Sequence, residues 1–270
     1  MRHHGFILQA PVHQPTCIAR AAMDSCAMEW RDEGVLLAVR PHGESAAIIE
    51  VFTALHGRHT GVVRGGASRR LSPVLQPGAH LSVVWRARLD GHIGAFVVEP
   101  MRSRTGVLGD RMALCGLSSI CALLQVTLAE REPHPGLWAA SIRLLDALQT
   151  EAGWPLHYLR WEMMLLNELG FGLDLTSCAV TGSREDLAYV SPKTGRAVGR
   201  AAAGEWASRL LPLPAALLGQ GPADQPEIVQ GMALTGYFLA RALTQMSNGR
   251  PLPEARARLI DLLSRSPNPI

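Results

Sequence analysis

The sequence predicts an α+β protein in two parts, a small five-stranded β-barrel followed by an α-helical domain. Two observations carry this division. From Glu29 to about Pro100 apolar residues alternate with period 2, between turns rich in Gly, Pro and Asp. Beyond Pro100 the apolar period changes to 3.6 in a series of segments that ends at about Leu263. A third observation bears on function. No acid lies between Glu50 and Asp90, yet Arg58, Arg64, Arg69, Arg70, Arg86 and Arg88 all fall there.

The expected strands, in order, are Gly34–Arg40, Ala46–Leu55, His59–Arg64, Ala79–Leu89 and Ile93–Glu99. Turns at His56-Gly57, Gln76-Pro77-Gly78 and Asp90-Gly91 separate the later ones. Five short strands in about 70 residues are too few for a sandwich and point to an OB-fold, with an SH3-like barrel the nearest alternative. The expected helices are Gly109–Ala129, Leu137–Leu148, Pro155–Leu169, Ala201–Leu211, Pro226–Met246 and Pro253–Leu263. Prolines at or near the first turn, and Gly170 after the third helix, are ordinary start and stop signals. Residues 171–200 lack a helical period and read as a loop or hairpin, with strand fragments at Asp186–Val190 and Ala197–Val198. Gly219–Pro222 reads as a linker. Residues 1–27 show no periodicity and are expected to be a disordered extension ahead of a functional start at Met28. The resulting division is 1–27, a barrel domain at 28–105 and a helical domain at 106–270.

With 47% hydrophobic and 18% charged residues, the chain has ample material for a packed core, which excludes a disordered class. A net charge of +3 is too mild to imply a polyanion partner, so the local clustering of arginine matters more. Five unevenly spaced cysteines do not describe a disulfide framework. No apolar run approaches the roughly 18 residues that would span a bilayer, so a soluble cytoplasmic protein without membrane contact is expected.

Catalytic signatures are missing. There is no GxGxxG or GxxxxGK[ST] phosphate loop, no GxSxG elbow, and no metal spacing among the histidines. A non-enzymatic protein without cofactor is the expectation. The segment Arg64-Gly65-Gly66-Ala67-Ser68-Arg69-Arg70 reads equally as a flexible strand connection or as a basic rim loop holding a phosphate backbone. Arginine supplies bidentate donors for phosphate and a flat face for bases. The candidate nucleic-acid set is therefore Arg58, Arg64, Arg69, Arg70, Arg86 and Arg88, with Lys193, Arg196 and Arg200 as a possible extension. Trp85 reads first as core packing, and second as a base-stacking residue. Residues Pro155–Leu169 are apolar on more than one face, as in a helix at the centre of a core.

In order and spacing, several segments resemble the RecO family of DNA repair and recombination mediators. They are Trp30-Arg31-Asp32-Glu33-Gly34-Val35-Leu36-Leu37, Arg40-Pro41-His42-Gly43-Glu44, Gly65-Gly66-Ala67-Ser68-Arg69 and Leu75-Gln76-Pro77-Gly78. Further on come Trp161-Glu162, then Leu169-Gly170-Phe171-Gly172-Leu173-Asp174-Leu175, then Cys178. The resemblance covers about residues 28–265. It implies an OB-fold followed by a helical domain, binding of single- and double-stranded DNA, and annealing of complementary strands. It further implies work with RecR, help to RecA in replacing single-stranded-DNA-binding protein, and docking of that protein's acidic-apolar C-terminal tail on the helical half. Arg143, Arg160 and Arg241 are candidate cations for the tail, and a nucleoid-associated cytoplasmic location follows. Many relatives carry four zinc-binding cysteines after the LGF segment. Here Cys178 keeps the first position, Thr181 stands at the second, and the later pair is missing from 191–203. The purified protein is therefore expected to hold no stoichiometric zinc, which elemental analysis checks. The competing class is a protein-interaction scaffold whose arginines are merely solvated.

Overall fold

The computed structural model describes residues 28–88, 93–220, 223–246 and 249–265; the extension expected at 1–27 lies outside them. The first five strands are β1 (Met28–His42), β2 (Ala46–Thr53), β3 (Gly57–Val63), β4 (His80–Ala87) and β5 (Gly94–Arg102), which close a barrel in the order β1-β2-β3-β5-β4. Closure depends on the length of β1. Its first half, Met28–Val35, pairs with β4, and its second half, Gly34–His42, pairs with β2. β3 meets β5 in parallel at Gly61↔Gly94 and Val62↔Ala95. This is the expected OB-like topology. β1 starts six residues before the predicted Gly34, because Glu29, Arg31 and Glu33 put polar side chains on its outer face.

The helical half contains α1 (Arg111–Thr127), α2 (Pro135–Thr150) and α3 (Trp154–Glu168). A small sheet follows, made of β6 (Leu187–Val190), β7 (Ala197–Gly199) and β8 (Leu211–Pro212). The remaining helices are α4 (Arg200–Ala203), α5 (Ala215–Leu218), α6 (Gln225–Met246) and α7 (Glu254–Arg265). Asp110 caps α1, accepting from the Met112 and Ala113 N–H groups at 2.8 and 3.1 Å. Gly170 ends α3 at φ +79° while the Phe171 N–H returns to Leu166 O, as its C-cap role requires. The helix expected at Ala201–Leu211 does not form. After one turn, Gly204 at φ +45° diverts the chain into a 3-10 segment, and Leu211–Pro212 joins the small sheet.

β1 serves two cores at once. Leu36 points into the barrel with Ile49, Val51, Leu81, Val83, Trp85 and Phe96. Its neighbours Val35 and Leu37 point outward and, with Phe52, join the helical core of Ile120, Leu124, Leu145 and Leu148. Polar contacts seal the same junction. Arg104, only 4% exposed, donates to Gly78 O at 2.6 Å and to Asp146 at 2.6 Å. The backbone of Gly57 lies so close to Glu132 that a Cβ there would sit 2.1 Å from the Glu132 carbonyl oxygen.

The barrel end nearest this junction holds a stack of rings. Trp30 lies between His56 (centroids 4.1 Å apart) and Trp85 (5.7 Å), with His59 edge-on to both tryptophans. Asp32 fixes His56, at 3.0 Å from its Nδ1. Burial, followed by Arg131 and His56, lowers His59 from 6.5 to about 4. The unfolded chain therefore takes up a proton below pH 6.5 that the folded chain refuses until about pH 4. The contribution of His59 to stability is complete above pH 6.5 and is lost as pH falls toward 4. His59→Gln is expected to flatten the acid-side fall of melting temperature over that window. A residual slope from His80, also lowered chiefly by burial, should remain.

Candidate nucleic-acid interface

The predicted barrel arginines divide according to their carboxylate neighbours. Arg58 stands near the start of β3, and Arg64 directly follows its end at Val63. At one end, Arg58 faces the helical half: its Nε donates to Leu128 O at 3.0 Å, and its NH1 lies 3.0 Å from Glu50 and 3.6 Å from Glu130. Only 15% of its side chain is exposed. This corrects the expectation for Arg58, whose guanidinium is largely buried and joins the two halves of the molecule through Glu50, Glu130 and Leu128 O.

At the other end, Arg64 leads into the β3–β4 connection. Gly65 turns the chain at φ +69°, and Gly66 packs so tightly that a Cβ would lie 2.7 Å from the Ala47 methyl. The glycine pair thus has a structural cause. The Ala67 N–H donates to Ser45 O, which pins this connection to the β1–β2 turn. Ser68 then accepts from the Leu71 N–H, opening a helical turn at Ser68–Leu75. Arg69 and Arg70 stand exposed on that turn. Among the described residues no carboxylate pairs with Arg64, Arg69, Arg70 or Arg88.

Arg86 points outward from β4, and Arg88, also exposed, directly follows the strand's end at Ala87. Arg86 is directly opposite Glu29 of β1 and is gripped by it, Nε to Oε2 at 2.8 Å and NH2 to Oε1 at 3.0 Å. That hydrogen bond and the Glu29 charge raise the already high pKa of Arg86. Between Arg86 and Arg64 runs a groove of about 420 Å³, lined also by Leu71, Ala95, Phe96 and Val97. Arg86 and Arg64 therefore share one groove with Leu71, which belongs to the turn that carries Arg69 and Arg70, and Arg88 follows Arg86 two residues on. Arg31, exposed on β1 opposite Val84, lies on the same outer face. It escaped the sequence reading because acids flank it, and only its two-residue spacing from Glu29 marks its face. Trp85 takes no part, being 1% exposed inside the barrel, as its core-packing reading required.

The possible extension does not continue this path. Arg196 pairs with Asp174 and Arg200 with Asp186, each at 3.3 Å, while Lys193 is exposed. Cys178 is buried and its sulfur accepts the Gly199 N–H at 3.2 Å. That bond and the Thr181 hydroxyl bring its thiol down to about 6. Among the described residues no three His, Cys, Asp or Glu side chains are grouped to hold a metal.

On the helical half, Arg143 of α2 and Arg160 of α3 line a single groove of about 400 Å³ with Leu144, Trp161 and Met164. Arg241 is elsewhere, donating to the carbonyls of Pro192 and Lys193 at 2.8 and 2.9 Å. This corrects its assignment as a tail cation, since its guanidinium holds the loop before β7. Among the described residues no helix is long and apolar enough to cross a membrane.

Comparison with known proteins agrees with this architecture. The model of the family described as "Recombination protein O N terminal" matches residues 28–104, and that described as "Recombination protein O C terminal" matches residues 108–266. A Cereibacter sphaeroides protein named DNA repair protein RecO is 74% identical over 238 residues, covering 88% of this chain and 99% of that protein. Proteins of the same name from Dinoroseobacter shibae and Ruegeria are 58% and 56% identical, each over 88% of this chain and 99% of the relative. Barrel and helices are matched in the same order and nearly end to end, and the chain belongs to the RecO family.

Proposed function

We propose that this chain is a non-enzymatic DNA-binding protein of repair and recombination, holding DNA on the barrel arginines and annealing complementary strands. Family membership supports the repair and recombination role. The observation that carries the binding reading is the set of exposed barrel arginines, Arg64, Arg69, Arg70 and Arg88, with which no carboxylate pairs among the described residues. Annealing needs no covalent step. It needs cations that relieve phosphate repulsion between two strands while leaving base edges free. Action with RecR, and help to RecA in displacing single-stranded-DNA-binding protein, belong to the same reading. An electrophoretic shift with single-stranded DNA tests it: a shift that weakens with salt is expected, and its absence at low salt would favour the scaffold alternative.

The α2–α3 groove is the proposed seat of the acidic-apolar tail of single-stranded-DNA-binding protein. It places two guanidinium groups beside an apolar wall, as an acidic chain with apolar side chains requires. A fluorescent tail peptide is expected to bind saturably. Arg143→Glu or Arg160→Glu should abolish the signal, and Arg241→Ala should leave it in place.

A further inference from the structure

Arg86 differs from the other barrel arginines in a way that changes what it offers a ligand. Glu29 takes two of its donors and cancels its charge, so it adds little to the attraction of a phosphate backbone. The same two bonds fix the plane of the guanidinium, and the side chain remains 60% exposed. Beside it lies the groove lined by Leu71 and by Ala95 and Val97, the outward residues of β5, with Arg64 also on its wall. A paired, oriented guanidinium next to an apolar recess suits a flat, weakly hydrated body, not a point anion.

We infer that the recess between Arg86 and Arg64 seats one unpaired nucleobase, stacked on the guanidinium face of Arg86, while Arg64, Arg69 and Arg70 hold the backbone beside it. The inference rests on the proposed DNA-binding role and deepens it, because a base can enter the recess only when splayed out of a duplex. The site is therefore selective for single strands, by a contact that carries no net charge. Glu29 becomes a positioning residue, acting through Arg86.

The test compares a labelled oligo(dT) with an abasic oligomer of equal length and equal phosphate count, by fluorescence anisotropy at one ionic strength. One stacked base predicts a preference for oligo(dT) of about 5- to 150-fold. Arg86→Lys keeps the charge and removes the plane. It should bring oligo(dT) binding down toward the abasic value and leave abasic binding unchanged, whereas Arg69→Glu weakens both oligomers by the same factor. Equal binding of the two oligomers by the wild-type protein overturns the inference and leaves the DNA-binding reading standing. So does an Arg86→Lys variant that keeps the full oligo(dT) preference, or one that loses abasic affinity in step. Failure of both oligomers to bind would remove the DNA-binding reading itself, and the inference with it.

Discussion

Arg256→Ala is expected to destabilise the helical domain by about 3–5 kcal/mol, because it leaves a buried carboxylate without its counterion. Arg256 on α7 is 4% exposed, and Glu162 on α3 is fully buried. The pair is bidentate: Arg256 Nε lies 2.6 Å from Oε1, and NH2 lies 2.9 Å from Oε2. Thr235 of α6 donates to Oε2 at 2.5 Å, and Arg256 also donates to Met232 O at 2.6 Å. Burial alone would lower the Arg256 pKa, but the Glu162 carboxylate outweighs it and holds it high. One network therefore ties together α3, α6 and α7. Even Gly236 conforms to it, since a Cβ there would lie 2.7 Å from Arg256 NH1. In a chain of this size, a loss of about 4 kcal/mol corresponds to a fall of roughly 10 °C in melting temperature. Glu162→Ala should act in the same direction. A double replacement by apolar residues of similar volume should recover much of the loss, since removing both charges also removes their desolvation cost. Thermal melts of the two single variants and the double variant check this. Additive losses would show that the pair is not coupled.

The second large effect concerns DNA. Each phosphate neutralised on a single strand contributes about −0.7 to the slope of log K against log salt. Arg64, Arg69, Arg70 and Arg88 together predict a slope of roughly −3. Affinity should then fall by about 60-fold as salt rises from about 50 to about 200 mM. Arg69→Glu/Arg70→Glu removes two of those contacts and adds repulsion, so affinity at low salt should drop steeply and the slope should flatten to about −1.4. Arg58→Gln, in contrast, should change stability and hardly move the slope, because Arg58 is already held by Glu50 and Leu128 O. Anisotropy titrations across a salt series separate these outcomes. An unchanged slope in the Arg69/Arg70 variant would remove the turn from the interface.

The barrel was legible because its strands alternate and its turns carry glycine and proline where the backbone needs them. The helices were legible from their period, their prolines and the Gly170 cap. The first half of β1 was less so, because an outward row of Glu29, Arg31 and Glu33 reads as loop until its partner strand is known. The lost helix at Ala201–Leu211 shows the opposite error, in which helix-forming alanines outweighed one glycine that the fold places at positive φ. For the interface, the arginines were visible but their pairing was not. Glu50, which bounds the acid-free interval, is the acid that captures Arg58 across the β2–β3 pair. Glu29 stands 57 residues from Arg86 and becomes its neighbour only when β1 and β4 meet. Side-chain pairing across strands depends on register, and register is a property of the closed barrel.

The double allegiance of β1 has a consequence for how such a chain can be dissected. With Leu36 facing one interior and Val35 and Leu37 the other, excising the first hundred residues would strip an oily stripe bare, and the remaining helices would lose the surface that completes them. Barrel and bundle are thus not trade goods to be shuffled between unrelated proteins. They share one seam, and each keeps the other's apolar stripe from water.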